Sequence, residues 1–183
     1  VENCFVPISA GGGIKKLSDA IQIIKSGADK IIINTICYEN KSIVKQITEK
    51  LGSQSVIASL DVRYDNQKYI LFSNNGTVKE TIDLNNHIKD LNNTGVGEIL
   101  INSIDLEGTM SGPDLKLNEM VSKISRVPVI YSGGIGNYDH IKILFERSNI
   151  SAVACGSMFN FTNTDPIMVK SYLISNKLNL RIF

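Results

Sequence analysis

Short apolar runs that stop at glycine or at a small polar residue recur along this chain, and each is followed by a stretch with helical periodicity. Runs of that kind read as strands buried on both faces, as in a parallel sheet. The pattern predicts strands over Cys4–Ala10, Asp29–Asn34, Ser55–Asp61, Glu98–Ser103, Val127–Tyr131 and Ser151–Cys155. It predicts helices over Leu17–Ser26, Lys41–Leu51, Thr81–Asn92 and Leu115–Ser125. A fifth helix runs from a cap at Asn137 to Glu146, and a sixth from Asp165 and Pro166 to Ser175. Gly27, Gly52 and Gly95 stand where the first three helices should stop.

Between the third strand and the third helix lies an insertion over 62–77. It holds two β-like pieces, Leu60–Tyr64 and Lys68–Ser73, around Asp65-Asn66, and it closes on the turn signal Asn74-Asn75-Gly76. The expected shape is a hairpin raised over one rim of the sheet. Strand and helix otherwise alternate six times, so the expected fold is α/β, a (β/α)8-type barrel in one domain over 1–183, with about six βα units in this chain. A closed barrel of this kind takes eight. The chain also opens on an apolar run without a leading methionine. The expectation is therefore either part of a barrel or an open six-stranded form with two sheet edges to cover.

The most informative stretch is Val127–Gly136, read together with Ala152–Ser157. Val-Pro-Val-Ile-Tyr-Ser-Gly-Gly-Ile-Gly and Ala-Val-Ala-Cys-Gly-Ser are both strand ends with exposed backbone. Glycine lets N–H groups approach a ligand, and two such ends side by side make a phosphate cradle, which in these barrels lies after the last two strands. The pattern occurs twice. Pro7–Gly13 resembles Val129–Gly134, and Ile31–Thr35 resembles Val153–Ser157, at nearly equal spacing. The reading is an internal duplication that places two cradles on one rim.

Ligands of such folds meet the carboxyl ends of the strands. The polar residues expected there are Ser9 with Gly11–Gly13, Asn34 with Thr35, Asp61, the stretch Ser103–Thr109, Ser132–Gly134, and Gly156 with Ser157. Asp61 ends an otherwise apolar strand. It is either a general acid or base with a pKa raised by burial, or a cap for the following loop. The acidic loop Ile104–Thr109 fits three roles equally: holding ribose hydroxyls, donating a proton, or forming a tight turn. Lys30 and Glu98 each begin a strand, which puts them on the opposite face, as an ion pair or as a gate to a passage through the barrel.

Composition narrows this further. The chain has 183 residues, 43% of them hydrophobic and 20% charged, with a net charge of +1. A charge so near zero gives no reason to expect nucleic acid or an anionic membrane as partner. No apolar run approaches the length of a membrane span, and the first thirteen residues lack a basic leader, so a cytoplasmic protein is expected. Cys4, Cys37 and Cys155 are odd in number and lack metal-type spacing; buried reduced thiols are expected. His87 and His140 stand alone in predicted helices, which leaves a zinc or Ser-His-Asp site improbable. Neither a metal nor a cofactor is expected.

At this point a resemblance emerges. Gly-Gly-Gly-Ile14, Gly-Ala-Asp-Lys-Ile-Ile-Ile-Asn-Thr35, Glu-Asn40, Gly-Ser-Gln54, Leu-Asp61, Gly-Glu-Ile-Leu100, Ser-Ile-Asp-Leu-Glu-Gly-Thr109, Ser-Gly-Gly134 and Gly-Ser157 resemble the cyclase subunits of imidazole glycerol phosphate synthase. Their order fits strands 3 to 8 of that barrel, with two βα units, about seventy residues, preceding them. The resemblance implies an enzyme that takes ammonia from a partner glutaminase and cleaves and cyclises a substrate with a phosphate at each end. It implies that Gly12, Gly13, Asn34 and Thr35 hold one phosphate. Gly108, Ser132, Gly133, Gly134, Gly156 and Ser157 would hold the other. It makes Asp61 one of two catalytic aspartates, the second lying on strand 1 of the family. Lys30 and Glu98 match its ammonia gate, and Asp29 and Gln54 match its glutaminase-facing side.

Two positions depart from that pattern. Glu107, in the catalytic set, replaces an aspartate, and Asn102, in the substrate set, replaces a threonine. An extra methylene moves a carboxylate by about 1 Å, enough to alter a rate. Gly-Thr-Met-Ser-Gly112 also resembles paralogues that conduct ammonia for amidation of a surface-polysaccharide sugar. The readings are thus three: a cyclase of histidine synthesis, an ammonia-conducting subunit for sugar amidation, and a barrel fragment that binds phosphate without catalysis.

Overall fold

The computed structural model describes residues 4–180. Six strands run parallel in the order β1 (Ser9–Gly11), β2 (Lys30–Ile33), β3 (Val56–Asp65), β6 (Glu98–Ser103), β7 (Val129–Ser132) and β8 (Ala152–Ala154). Two antiparallel strands, β4 (Lys68–Ser73) and β5 (Val78–Lys79), extend from β3. The helices are α1 (Leu17–Lys25), α2 (Thr35–Glu39), α3 (Lys41–Leu51), α4 (Leu84–Leu91), α5 (Leu115–Ile124), α6 (Tyr138–Arg147), α7 (Ser157–Phe161) and α8 (Pro166–Ser175). This is a partial TIM barrel of six βα units. Among the described residues β1 and β8 pair on one side only.

Local chemistry explains most boundaries. The side chains of Asn40, Asp83, Asp114, Asn137 and Asp165 each accept a backbone N–H from the first turn of a helix. These caps satisfy donors that the helix itself leaves unpaired. Asp83 also explains why α4 starts at Leu84 and not at Thr81, since the cap residue sits outside the helix. The two-residue turn between β3 and β4 has Asn66 and Gln67 at φ 47° and 64°, the left-handed pair that matches strand twist.

Four expectations are corrected. The first strand does not span Cys4–Ala10: it is three residues long, Phe5 and Val6 are 96% and 68% exposed, and no neighbouring strand pairs with them. Cys4 is accordingly exposed and not a buried thiol; Cys37 is buried, Cys155 half-buried, and all three are free. Asp61 does not end its strand. β3 continues to Asp65, because β4 takes over the edge that β2 vacates after Ile33. Finally, the strands are not uniformly buried on both faces. β2 and β6 alternate between buried and half-buried positions. Ile31, Ile33, Ile99 and Ile101 lie under the helices, whereas Lys30, Ile32, Glu98, Leu100 and Asn102 face the concave side.

The core lies between that outer sheet face and the helices. Ile31, Ile33, Ile99, Ile101, Tyr131, Leu117 and Leu144 are essentially fully buried there. Each large apolar side chain so removed from water contributes about 1.5–3 kcal/mol. The concave face carries Asp61 and Asn102 toward one end of the strands and Lys30 with Glu98 at the other, with Ile32 and Leu100 between.

Candidate functional site at the carboxyl rim

Strand register sets the site. Asp61 of β3 pairs with Asn102 of β6, which pairs with Ser132 of β7, which pairs with Ala154 of β8. In-register residues share a face, so Asp61, Asn102 and Ser132 form one row along the concave rim. Within it Asn102 Nδ2 donates to Asp61 Oδ1 at 3.3 Å. Burial pushes the Asp61 carboxyl up from its ordinary value, and the bond from Asn102 opposes that rise. The Asn102 Oδ1 and the Asn34 Oδ1 are buried without a partner.

The first expected cradle is brought together with Asp61. Gly12, Gly13, Asn34, Thr35 and Asp61 line one cavity of about 580 Å3. Gly12 and Gly13 have φ of +105° and +67°, and no heavy atom lies within 4 Å of where a Cβ would be. Their backbone is thus open to a ligand at the price of a conformation that glycine alone takes freely. Five further polar lining residues escaped the sequence reading: Lys15, Glu39, Ser59, Asn74 and Asn75. Lys15 is the only cation among them, and its signal was its place directly after the Gly-Gly-Gly-Ile14 turn. Asn74 and Asn75, at the foot of the hairpin, also line the cavity, and the Asn74 N–H donates to Thr35 Oγ1 at 3.1 Å. α2, also unforeseen, starts at this threonine.

The second expected cradle is built differently. Gly108 lies beside Ser157, since a Cβ on it would stand 4.0 Å from Ser157 Oγ. Gly133 and Gly134 are instead closed in. A Cβ would meet the Ser103 carbonyl oxygen at 2.7 Å and the Gly112 carbonyl oxygen at 2.0 Å. Gly112 N–H donates to Gly134 O at 2.8 Å, so the loop after β6 rests on these glycines. Gly156 remains open. Ser132 Oγ donates to Glu107 Oε2 at 3.2 Å. The likeness of the two halves extends to one feature the sequence did not show: Asn34 and Gly156 are each followed by a five-residue helix, α2 and α7.

At the other end of the strands, Lys30 Nζ and Glu98 Oε1 form a half-buried ion pair at 2.5 Å that reaches across β3. Asp29 Oδ2 accepts the Ile8 N–H at 2.8 Å and so fixes the start of β1. Gln54 folds back over Gly52 in the turn before β3. These four residues lie at the amino ends of the strands, away from Asp61.

A half-barrel with polar residues at the carboxyl rim and an ion pair at the base defines a (β/α)-barrel protein. The sequence family described as "Histidine biosynthesis protein" matches residues 1–165, and this chain belongs to it. Among similar curated proteins, the imidazole glycerol phosphate synthase subunit HisF of Hydrogenobaculum sp. (strain Y04AAS1) is 34% identical over 182 residues, covering 99% of this chain and 72% of that protein. The subunit of the same name from Clostridium botulinum (strain Okra / Type B1) is 36% identical over 183 residues, with the same shares. That of Natranaerobius thermophilus is 32% identical over 181 residues. No helix among the described residues is long and apolar enough to cross a membrane.

Proposed function

We propose that this chain is the ammonia-using cyclase part of an imidazole glycerol phosphate synthase. It acts as a lyase on a formimino aminoimidazole carboxamide ribonucleotide with a phosphate at each end. The products are imidazole glycerol phosphate and aminoimidazole carboxamide ribonucleotide. The observation that carries this is the 580 Å3 cavity that joins Asp61 to the open backbone of Gly12 and Gly13. One phosphate binds there, with Asn34, Thr35 and Lys15. The other binds among Gly108, Ser132, Gly133, Gly134, Gly156 and Ser157. Asp61 moves a proton to and from the reacting nitrogen or carbon, with Asn102 orienting its carboxylate; Glu107 lies close enough to the row to share that work.

Ammonia comes from a glutaminase that docks at the base, where Asp29, Gln54 and the Lys30–Glu98 pair lie. In this reading the six βα units correspond to strands 3 to 8 of the family, and 62–77 is a hairpin over the rim. A second catalytic aspartate stands on strand 1 of the family, and the reaction runs in the cytoplasm. The test is an assay of the natural gene product with the bis-phosphorylated ribonucleotide and ammonium chloride, following release of aminoimidazole carboxamide ribonucleotide. Ammonium-dependent release that disappears in Asp61→Asn supports the reading; no release from a folded, partner-bound protein overturns it.

The bond between Ser132 and Glu107 favours a second reading, because it sets a carboxylate where a phosphate is expected. In that reading the chain conducts ammonia to a sugar-amidating partner. Glutaminase-dependent amidation without lyase activity would support it.

A further inference from the structure

The two glycine rims differ in the charge beside them. Lys15 lines the first together with the carboxylates of Glu39 and Asp61, neither of which is bonded to the glycine turn, and the space above Gly12 and Gly13 is open. At the second, the Ser132 hydroxyl already has an anionic acceptor in Glu107 Oε2 at 3.2 Å. A phosphate oxygen would be an acceptor of the same kind. The Glu107 carboxylate acts on its surroundings: together with burial, which is the larger cause, it raises the Cys155 thiol to about 11. Arg63, the cation that reaches this loop, is held by Asp105 at 3.0 Å.

We infer that Glu107 is a specificity-determining residue, parked on Ser132 so that the second rim accepts an anion only when the carboxylate is displaced. The inference rests on the reading of both glycine rims as phosphate sites. A bis-phosphorylated ligand then anchors by its phosphate at Gly12 and Gly13, and its second phosphate drives Glu107 off Ser132. A ligand whose far end carries hydroxyl or amine donors leaves Glu107 in place and bonds to it. The displacement frees a carboxylate beside the row that holds Asp61 and Asn102, so occupancy of the second rim changes the charge available there.

The test is a titration of the 15N-labelled chain with inorganic phosphate, following the amides of Gly12 and Gly13 and those of Ser132, Gly156 and Ser157. Glu107→Gln keeps the acceptor for Ser132 and removes the charge. One unit charge about 4 Å from a phosphate carrying between one and two charges in a water-like setting corresponds to roughly tenfold in affinity. The expected result is that the wild type fills the first rim before the second. In Glu107→Gln the second rim tightens about tenfold and the first is unchanged. Lys15→Met should weaken the first rim alone. Equal second-rim affinity in the wild type and in Glu107→Gln, with the first rim responding, overturns the inference and leaves the phosphate reading intact. Silence at both rims in every variant overturns both.

Discussion

Alanine at two rim glycines should have unequal consequences, and the structure gives the sizes. Gly12→Ala places a methyl in open space, at a φ of +105°. Its cost to stability is the backbone strain alone, about 1–2 kcal/mol. Gly134→Ala adds comparable strain at φ +75° and drives a methyl to 2.0 Å from the Gly112 carbonyl oxygen. The loop after β6 must then move, losing the Gly112-to-Gly134 bond, about 1 kcal/mol, and overpacking the contact by about 1–3 kcal/mol. The sum is about 3–6 kcal/mol, against a total stability of roughly 5–15 kcal/mol. For a domain of this size each kcal/mol lowers the Tm by about 2–4 °C. Thermal melts followed by circular dichroism should show Gly134→Ala lower by about 6–24 °C and Gly12→Ala by about 2–8 °C. Inorganic phosphate should raise the Tm of the wild type and not that of Gly12→Ala. If Gly134→Ala melts within 2 °C of the wild type (an order-of-magnitude threshold from the same scaling), the loop does not rest on this glycine as described.

Other substitutions test the rest of the frame. His87 is buried with neither ring nitrogen bonded, and burial pushes its pKa down to about 4. The unfolded chain therefore binds more protons between about pH 6.5 and 4, and stability present above that window is lost as pH falls through it, by up to roughly 3 kcal/mol; urea unfolding of His87→Phe, which keeps a ring against Tyr38, should show a flatter pH dependence there. Asp61 has the opposite sign. Its folded pKa is raised, so it favours the fold below its unfolded pKa and loses that contribution as pH rises through the folded value. Asp61→Asn should be at least as stable as wild type at pH 7 while losing ammonium-dependent turnover, and a marked loss of stability there would contradict the burial argument. A double-mutant cycle on Lys30→Met and Glu98→Gln should give a coupling of about 1 kcal/mol or less, since both side chains are about a quarter to a third exposed; glutamine-driven activity should fall more than ammonium-driven activity.

What could be read from the sequence was the chemistry that acts locally. Glycine after an apolar run located the ends of β1 and β7, and side-chain caps at Asn137 and Asp165 located α6 and α8 within a residue or two. Asn66-Gln67 was harder, because neither residue is glycine and both adopt positive φ. What the sequence hid depends on partners distant along the chain. The shortening of β1 follows from having β2 as its sole neighbour among the described residues. The extension of β3 past Asp61 follows from β4 replacing β2. The short helices after Asn34 and Gly156 have no periodicity to show over five residues. At the site, the row of Asp61, Asn102 and Ser132 is a product of register, which no spacing reveals. Lys15 was adjacent to a recognised motif, yet only the cavity makes it the sole cation there.

The hairpin has a mechanical meaning. β3 passes without a break from the strand that bears Asp61 into the arm that ends at Asp65, so the arm and the carboxylate are one continuous ribbon. Arg63 bonds Asp105, and Tyr69 OH bonds Asp114 Oδ1 at 2.9 Å. The arm is therefore fastened at two points to the loop that carries Glu107. The arm thus ties the strand that bears Asp61 to the loop that bears Glu107. Shortening the arm or removing Arg63 or Tyr69 would therefore loosen that tie while every residue at the rim stayed the same.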